Sequence, residues 1–294
     1  MDNMKRSPRD GTGCLYIPFA FPGVPAVGCA FSTACAGSVS MNVGSGSVWR
    51  DTSSGLLCPP GQDHKSPAPS AKAAPSLSDS KLSRYLDEDT RQAPANRRRL
   101  LDALGLSRWA ELKQVHGDGF VVDARETPPD QAAELEADGH CTREKGLALL
   151  IKTADCQPIL FAAEDGSVVA ALHAGWRGNA VNYPASGLKA FCAAYGLEPS
   201  RVLAVRGPSL GPAAAEFVNF AAEWPPHFVD WFDARQKTMD LWRLTRDQLV
   251  SAGMRADRIF GLDLCTRSLP ELFFSHRLGH SGRQASLIWI KEKA

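Results

Sequence analysis

The chain has 294 residues, 44% of them hydrophobic, with 33 basic and 32 acidic side chains and a formal net charge of +1. That length and apolar content suffice for a substantial buried core. The balanced charge, with no helix-turn-helix or aromatic RNA-reading pattern, argues against nucleic-acid or membrane partners, so the expected ligand is a small molecule and the expected state a monomer or homodimer. Cys14, Cys29, Cys35, Cys58, Cys141, Cys156, Cys192 and Cys265 are scattered through the chain. They are read as reduced thiols in a cytoplasm rather than as a disulfide framework.

In chain order, Lys5, Arg6 and Arg9 precede an apolar run from Leu15 to Phe31, which mimics a secretory signal. Pro18, Pro22 and Pro25 interrupt that run, and an opening strand and turn is the preferred reading. From Asp51 to Asp89 the composition shifts to Ser, Pro, Ala, Gly and Lys, as in "KSPAPSAKAAPSLSDSK". Such a stretch cannot offset its ordering entropy by burial, and it reads as a mobile insertion, 51–89, in a single domain spanning 1–294. "DEDTRQAPANRRRLLDALGL" then has helical spacing, with Leu100, Leu101 and Leu104 on one side; the arginines 97–99 read as its solvated face, with phosphate binding as the alternative.

"GFVVDA", "GLALLIKT", "PILFAA" and "SVVAALHAG" are short, apolar and bounded by turn residues, the pattern of strands. A helix is predicted from about Pro184 to Tyr195, a strand at "RVLAVRG", an amphipathic helix within "TMDLWRLTRDQLVSAGM" and a closing strand at "QASLIWI". Strands that follow one another directly, with helices elsewhere, favour an α+β fold over a doubly wound parallel sheet.

The stretch "TADCQPILF" opens an apolar strand with an acid, a thiol and an amide, and polar groups at a buried strand mouth need partners. Asp165-Gly166 is a hairpin turn signal between "PILFAAE" and "SVVAALH". Counting outward from that turn sets Cys156 opposite Gly175 and puts His173 diagonal to Cys156 on the same face, at roughly 7–8 Å between backbones. One metal ion can be shared across that diagonal. The best third ligand is His116 in "KQVHGDG", where glycines let the backbone approach a site closely. A catalytic Cys–His pair fits the same spacing, as does a buried thiol beside a hydrogen-bonded core histidine.

Taken together and in this order, "KQVHGD", "ADGHCTREKGLALLIKTADCQPILF", "VVAALHAGWRGNA" and "CTRSLPELFFSHRLGHSGRQASLIWI" resemble the laccase-domain family, also called the multicopper polyphenol oxidase family. Its members are regarded as purine nucleoside phosphorylases. The resemblance implies a layered sandwich of mixed and antiparallel sheets flanked by helices, similar to the cytotoxic necrotizing factor type of cysteine hydrolase. It also implies zinc, with copper the lesser alternative, on His116, Cys156 and His173, with Asp155 as a supporting acceptor or turn former. A fourth position is then left for water or substrate. The implied chemistry is phosphorolysis of adenosine, inosine, guanosine and methylthioadenosine, together with adenosine deamination by a metal-activated water. Phosphate calls for arginines, and Arg177, Arg206, Arg277 and Arg283 are the matching basic positions, Arg177 first. Trp176 offers either a ring for a purine to stack on or a packed indole.

The chain also departs from the family pattern. Ala34 stands where an arginine is usual, Ala215 where an aromatic residue is common, although Glu216 is kept, and His140 with Cys141 replaces an apolar pair. Gln157 replaces an apolar residue beside Cys156, and Cys265 matches a family cysteine read as packing. Three other functions compete: a Cys–His hydrolase or deamidase, a copper polyphenol oxidase, and a non-catalytic nucleoside-binding module. Multicopper oxidation needs many histidines in HxH pairs, whereas this chain has seven histidines and no such pair.

Overall fold

A computed structural model of the chain describes residues 16–33, 50–51, 93–128, 130–280 and 282–292. Ala34, His64, Lys5, Arg6, Arg9, Cys14, Cys35, Cys58 and the insertion beyond Asp51 lie outside the described residues. In chain order the strands are β1 (Tyr16–Phe19), β2 (Val27–Ser32), β3 (Arg50–Asp51), β4 (Arg108–Glu111), β5 (Phe120–Val121), β6 (Gly139–Thr142) and β7 (Leu147–Thr153). They continue with β8 (Gln157–Ala163), β9 (Val169–Ala174), β10 (Val202–Arg206), β11 (Phe232–Asp233), β12 (Thr238–Met239), β13 (Ile259–Gly261) and β14 (Gln284–Ile290). The helices are α1 (Ala93–Leu104), α2 (Trp176–Ala180), α3 (Tyr183–Tyr195), α4 (Phe220–Glu223) and α5 (Leu241–Ser251).

One sheet runs β1-β2-β14-β7-β4 and the other β3-β13-β10-β8-β9-β6-β5, with a small β11-β12 pair apart. β4 with β7, β5 with β6 and β10 with β13 pair parallel, so both main sheets are mixed. Alternation along each strand sends successive side chains to different cores. Leu149 and Ile151 of β7 meet Leu160, Ala171 and Val205 of the second sheet, which fills the space between the sheets. Ala148 and Leu150 turn the other way, onto Leu100 and Leu101 of α1. On the far side, Ile159, Phe161 and Leu172 pack under Leu188 and Phe191 of α3 and Leu249 of α5. The result is an α+β arrangement of layers, helix on sheet on sheet on helix, in which the central strands are buried on both faces and therefore read as continuous apolar runs.

The hairpin register is the one counted from the turn: Gln157 pairs with Ala174 and Pro158 with His173. The turn itself is wider than two residues. Ala163 and Val168 close it through a 3.1 Å bond, and Asp165 accepts from the Ser167 N–H and hydroxyl inside the loop. The opening strand and turn expected of the apolar run from Leu15 to Phe31 is the β1–β2 hairpin, Tyr16–Ser32. "GFVVDA" forms only a two-residue strand. The helix expected within 238–254 starts at Leu241, because Asp240 caps it by accepting from Arg243 N and because Thr238–Met239 pairs with β11.

One reading of α1 is corrected. Arg98 and Arg99 are exposed, but Arg97 is 3% exposed and pairs with the buried Glu111 at 3.2 Å. Lys152 reaches the same carboxylate at 2.6 Å, so the helix face expected to be solvated contributes to a buried ion cluster. Cys29, Cys141, Cys156, Cys192 and Cys265 are free thiols. Among the described residues no helix is long and apolar enough to cross a membrane.

Candidate metal centre

His173 follows Val169 and Ala171 on the face of β9 that looks towards the first sheet, and Cys156 enters β8 on the same side. Both stand at the end of the sandwich, where β7 passes directly into β8. The loop carrying His116 closes over them, with His116 itself in the left-handed region at φ 60°. Ligand atoms of His116, Cys156 and His173 all lie within 4.8 Å of one another. Cys156 Sγ is 3.7 Å from His116 Nε2, and the two imidazole rings meet edge to face at 4.7 Å.

Asp138, fully buried just before β6, organises this group. Its carboxylate accepts the N–H groups of Val115, His116 and Gly117 at 3.2, 3.0 and 2.7 Å, and it meets His173 Nδ1 at 2.7 Å. One acid thus folds the loop and leaves His173 Nε2 for a metal, the arrangement that orients metal-binding histidines. Gly175 supplies the space: a Cβ there would sit 3.1 Å from Cys156 Sγ and 3.2 Å from His116 Cδ2.

Burial pushes the Cys156 thiol up, but the charge of His173 and the hydrogen bond from His116 outweigh it and bring the thiol below its ordinary range. Burial lowers His173 in turn, and the Cys156 thiolate with the Asp138 bond outweighs this and raises it above its ordinary range. A thiolate and two imidazoles form a donor set suited to zinc or copper. The residues fit a metal ion.

The three side chains open into a cavity of about 860 Å³. One wall is aromatic and apolar, with Trp176, Phe217, Leu210 and Leu241; Trp176 and Phe217 meet edge to face at 5.8 Å. Five cations also line it: Lys113, Lys152, Arg177, Arg277 and Arg283. Arg206 is not among them. It is buried in a separate cavity of about 410 Å³, paired with Asp263 and stacked 4.3 Å from the Trp242 ring. Asp155 lines the main cavity but points its carboxylate at the carboxy-terminal segment, accepting from Thr266 Oγ1, Ser275 Oγ and Arg277 N at 2.6, 3.0 and 2.8 Å. With φ 88° it also turns the chain into β8.

A family model described as multi-copper polyphenol oxidoreductase laccase matches residues 71–291, a span that contains His116, Asp138, Cys156 and His173. The chain belongs to this family. A Xylella fastidiosa (strain Temecula1) member named purine nucleoside phosphorylase is 38% identical over 216 residues, covering 66% of this chain and 77% of its own. A Pseudomonas aeruginosa member of the same name is 36% identical over 220 residues, 72% of this chain and 86% of its own. The crystal structure of YlmD from Geobacillus stearothermophilus superposes with a TM-score of 0.69 at 23% identity, covering 98% of each chain, which shows a shared fold.

Within this laccase-family chain, the other residues singled out from the sequence separate clearly. Gln157 turns away from Cys156 and donates to Asn179 Oδ1 at 3.1 Å and to the Leu241 carbonyl at 3.2 Å, tying β8 to α2 and α5. His140 and Cys141 are buried strand residues outside the metal group. Ala215 is buried, while Glu216 is exposed and lends its carbonyl to Arg277 Nη2 at 2.9 Å. Cys265 packs beneath Gly211, whose N–H lies 3.2 Å from its sulfur. Sequence reasoning missed Asp138, Lys113, Lys152, Phe217 and His276. Only Asp138 carried a usable signal, as the acid of the "ADGH" stretch.

Proposed function

We propose that this chain is a zinc-dependent purine nucleoside phosphorylase, with His116, Cys156 and His173 holding the ion and adenosine, inosine, guanosine or methylthioadenosine as substrate beside phosphate. The observation that carries the reading is the grouping of three donor atoms within 4.8 Å in a cavity with an aromatic wall and five cations. The names of the family relatives support it. When bound, the ion would supply a Lewis acid.

The chain's own groups account for the rest. Trp176 and Phe217, set edge to face, offer a purine apolar ring surface to pack against. The Arg177 guanidinium lies 4.7 Å from the Trp176 ring and pairs with no carboxylate among the described residues, which leaves its donors for phosphate. Phosphorolysis forms a bond from a phosphate oxygen to the sugar C1′ while the bond from C1′ to the base breaks, giving free base and ribose 1-phosphate. Holding both reactants in line is the main contribution asked of these side chains. Adenosine deamination at the same centre belongs to this reading as a side activity.

A second reading is favoured by the lowered Cys156 thiol beside two imidazoles: a Cys–His hydrolase or deamidase of the cytotoxic necrotizing factor type. Metal-quantified protein is to be assayed with inosine and adenosine, with and without phosphate, beside Cys156→Ser. We expect one equivalent of zinc and phosphate-dependent base release, both lost in the variant. Retention of a Cys156-dependent hydrolysis after chelation would instead favour the hydrolase, and binding without turnover a nucleoside-binding module.

A further inference from the structure

We infer that His276 is the general acid of the proposed phosphorolysis, giving a proton to the purine as it leaves; the assignment rests on the phosphorylase reading above. When the bond from C1′ to N9 breaks, its electron pair goes to the base, where it is shared with N7. A proton delivered to N7 during departure converts a poor anionic leaving group into a neutral purine. Catalysis of this kind needs a side chain that can hand a proton to the edge of the base.

The cavity leaves one such group. His116, Cys156 and His173 form the candidate metal set. Lys152 is paired with Glu111 at 2.6 Å and Lys113 with Glu136 at 2.9 Å. The Asp155 carboxylate already accepts three hydrogen bonds, and an arginine keeps its proton throughout. His276 remains: it lines the cavity, is exposed, and its imidazole makes no hydrogen bond with the described residues.

Its backbone, in contrast, is fixed. Ser275 Oγ and Arg277 N, on either side of it, both donate to Asp155 Oδ2, one residue from Cys156. The Arg277 guanidinium lies 5.6 Å from the Phe217 ring, which anchors the turn against the aromatic wall offered to the base. An imidazole with no hydrogen-bond partner among the described residues, on a pinned turn beside that wall, is placed to meet the purine edge. In the step itself, a phosphate oxygen bonds to C1′, the bond to N9 breaks towards the base, and the imidazolium proton passes to N7. The neutral imidazole then takes a proton back from solvent.

The test compares wild type, His276→Gln and His276→Phe on inosine and on a 7-methylated purine nucleoside, whose base departs neutral without a proton at N7. Both variants are expected to lose about 100-fold or more in kcat on inosine, to lose less than about threefold on the methylated substrate, and to keep the wild-type melting temperature. Wild-type turnover of inosine by the variants, or an equal loss on both substrates, would overturn the assignment alone. Failure of the wild type to release base from any purine nucleoside with phosphate would remove the phosphorylase reading, and this assignment with it.

Discussion

Asp138 shows how much of the centre depends on one side chain outside the donor set. Burial pushes its carboxyl up, but the bonds from His173, Gly117 and Val115 outweigh this and hold it below the usual carboxylate range. Its charge therefore fixes both the ring of His173 and the backbone that presents His116. Asp138→Asn keeps the shape but removes the charge and turns one acceptor into a donor facing N–H groups. The expected outcome is a metal affinity lower by about 10–100-fold, measured by competition with a chromophoric chelator, while the far-ultraviolet circular dichroism is retained. Unchanged affinity would mean that the loop and ring keep their positions without the carboxylate.

At the scale of elements, what was legible followed local periodicity. The β8–β9 register could be counted from Asp165-Gly166 because a strand has a period of two, so the count survived a turn wider than expected and still brought Cys156 and His173 together. Pairings across long sequence separations left no local mark: Asp138 meets its partners more than 20 residues away, and His276 reaches the cavity only through a turn held by Asp155. In α1 the helix itself is where its spacing put it, and only the solvated reading of Arg97 failed, for the same reason. Leu100 and Leu101 gave away its buried stripe, but nothing near Arg97 announces Glu111, 14 residues on in another layer. Arg97→Met should test that contact. It takes one cation from a carboxylate that retains Lys152, and a loss of about 2–4 kcal/mol is expected in denaturant unfolding, below or within the range for breaking a buried pair. A change within about 0.5 kcal/mol, the usual range for surface substitutions, would return Arg97 to the solvated face.

For the whole molecule, the joint between the two sheets is apolar except near the metal end, and one group there makes stability depend on pH. Cys141 of β6 packs towards the helices, so His140 faces the opposite way, into the layer between the sheets. It is fully buried, and neither ring nitrogen has a hydrogen-bond partner among the described residues. Burial alone pushes its pKa down to about 3. An unfolded chain binds a proton at this imidazole below about pH 6.5, while the folded chain refuses it until about pH 3. Above that window the group contributes no pH dependence. Inside it the unfolded state holds more protons, so stability falls as pH falls, by about 1.4 kcal/mol per pH unit. His140→Leu removes the titration together with two unpartnered polar atoms, a change expected to be neutral or stabilising near pH 7. Urea unfolding of both proteins at pH 7.0, 5.5 and 4.5 should show the variant gaining on the wild type by about 2–3 kcal/mol between the first and last. The carboxylates titrate in both proteins and cancel in that difference. Parallel curves would mean that His140 takes its proton inside the fold, and the layer between the sheets would then have to hold a partner for it.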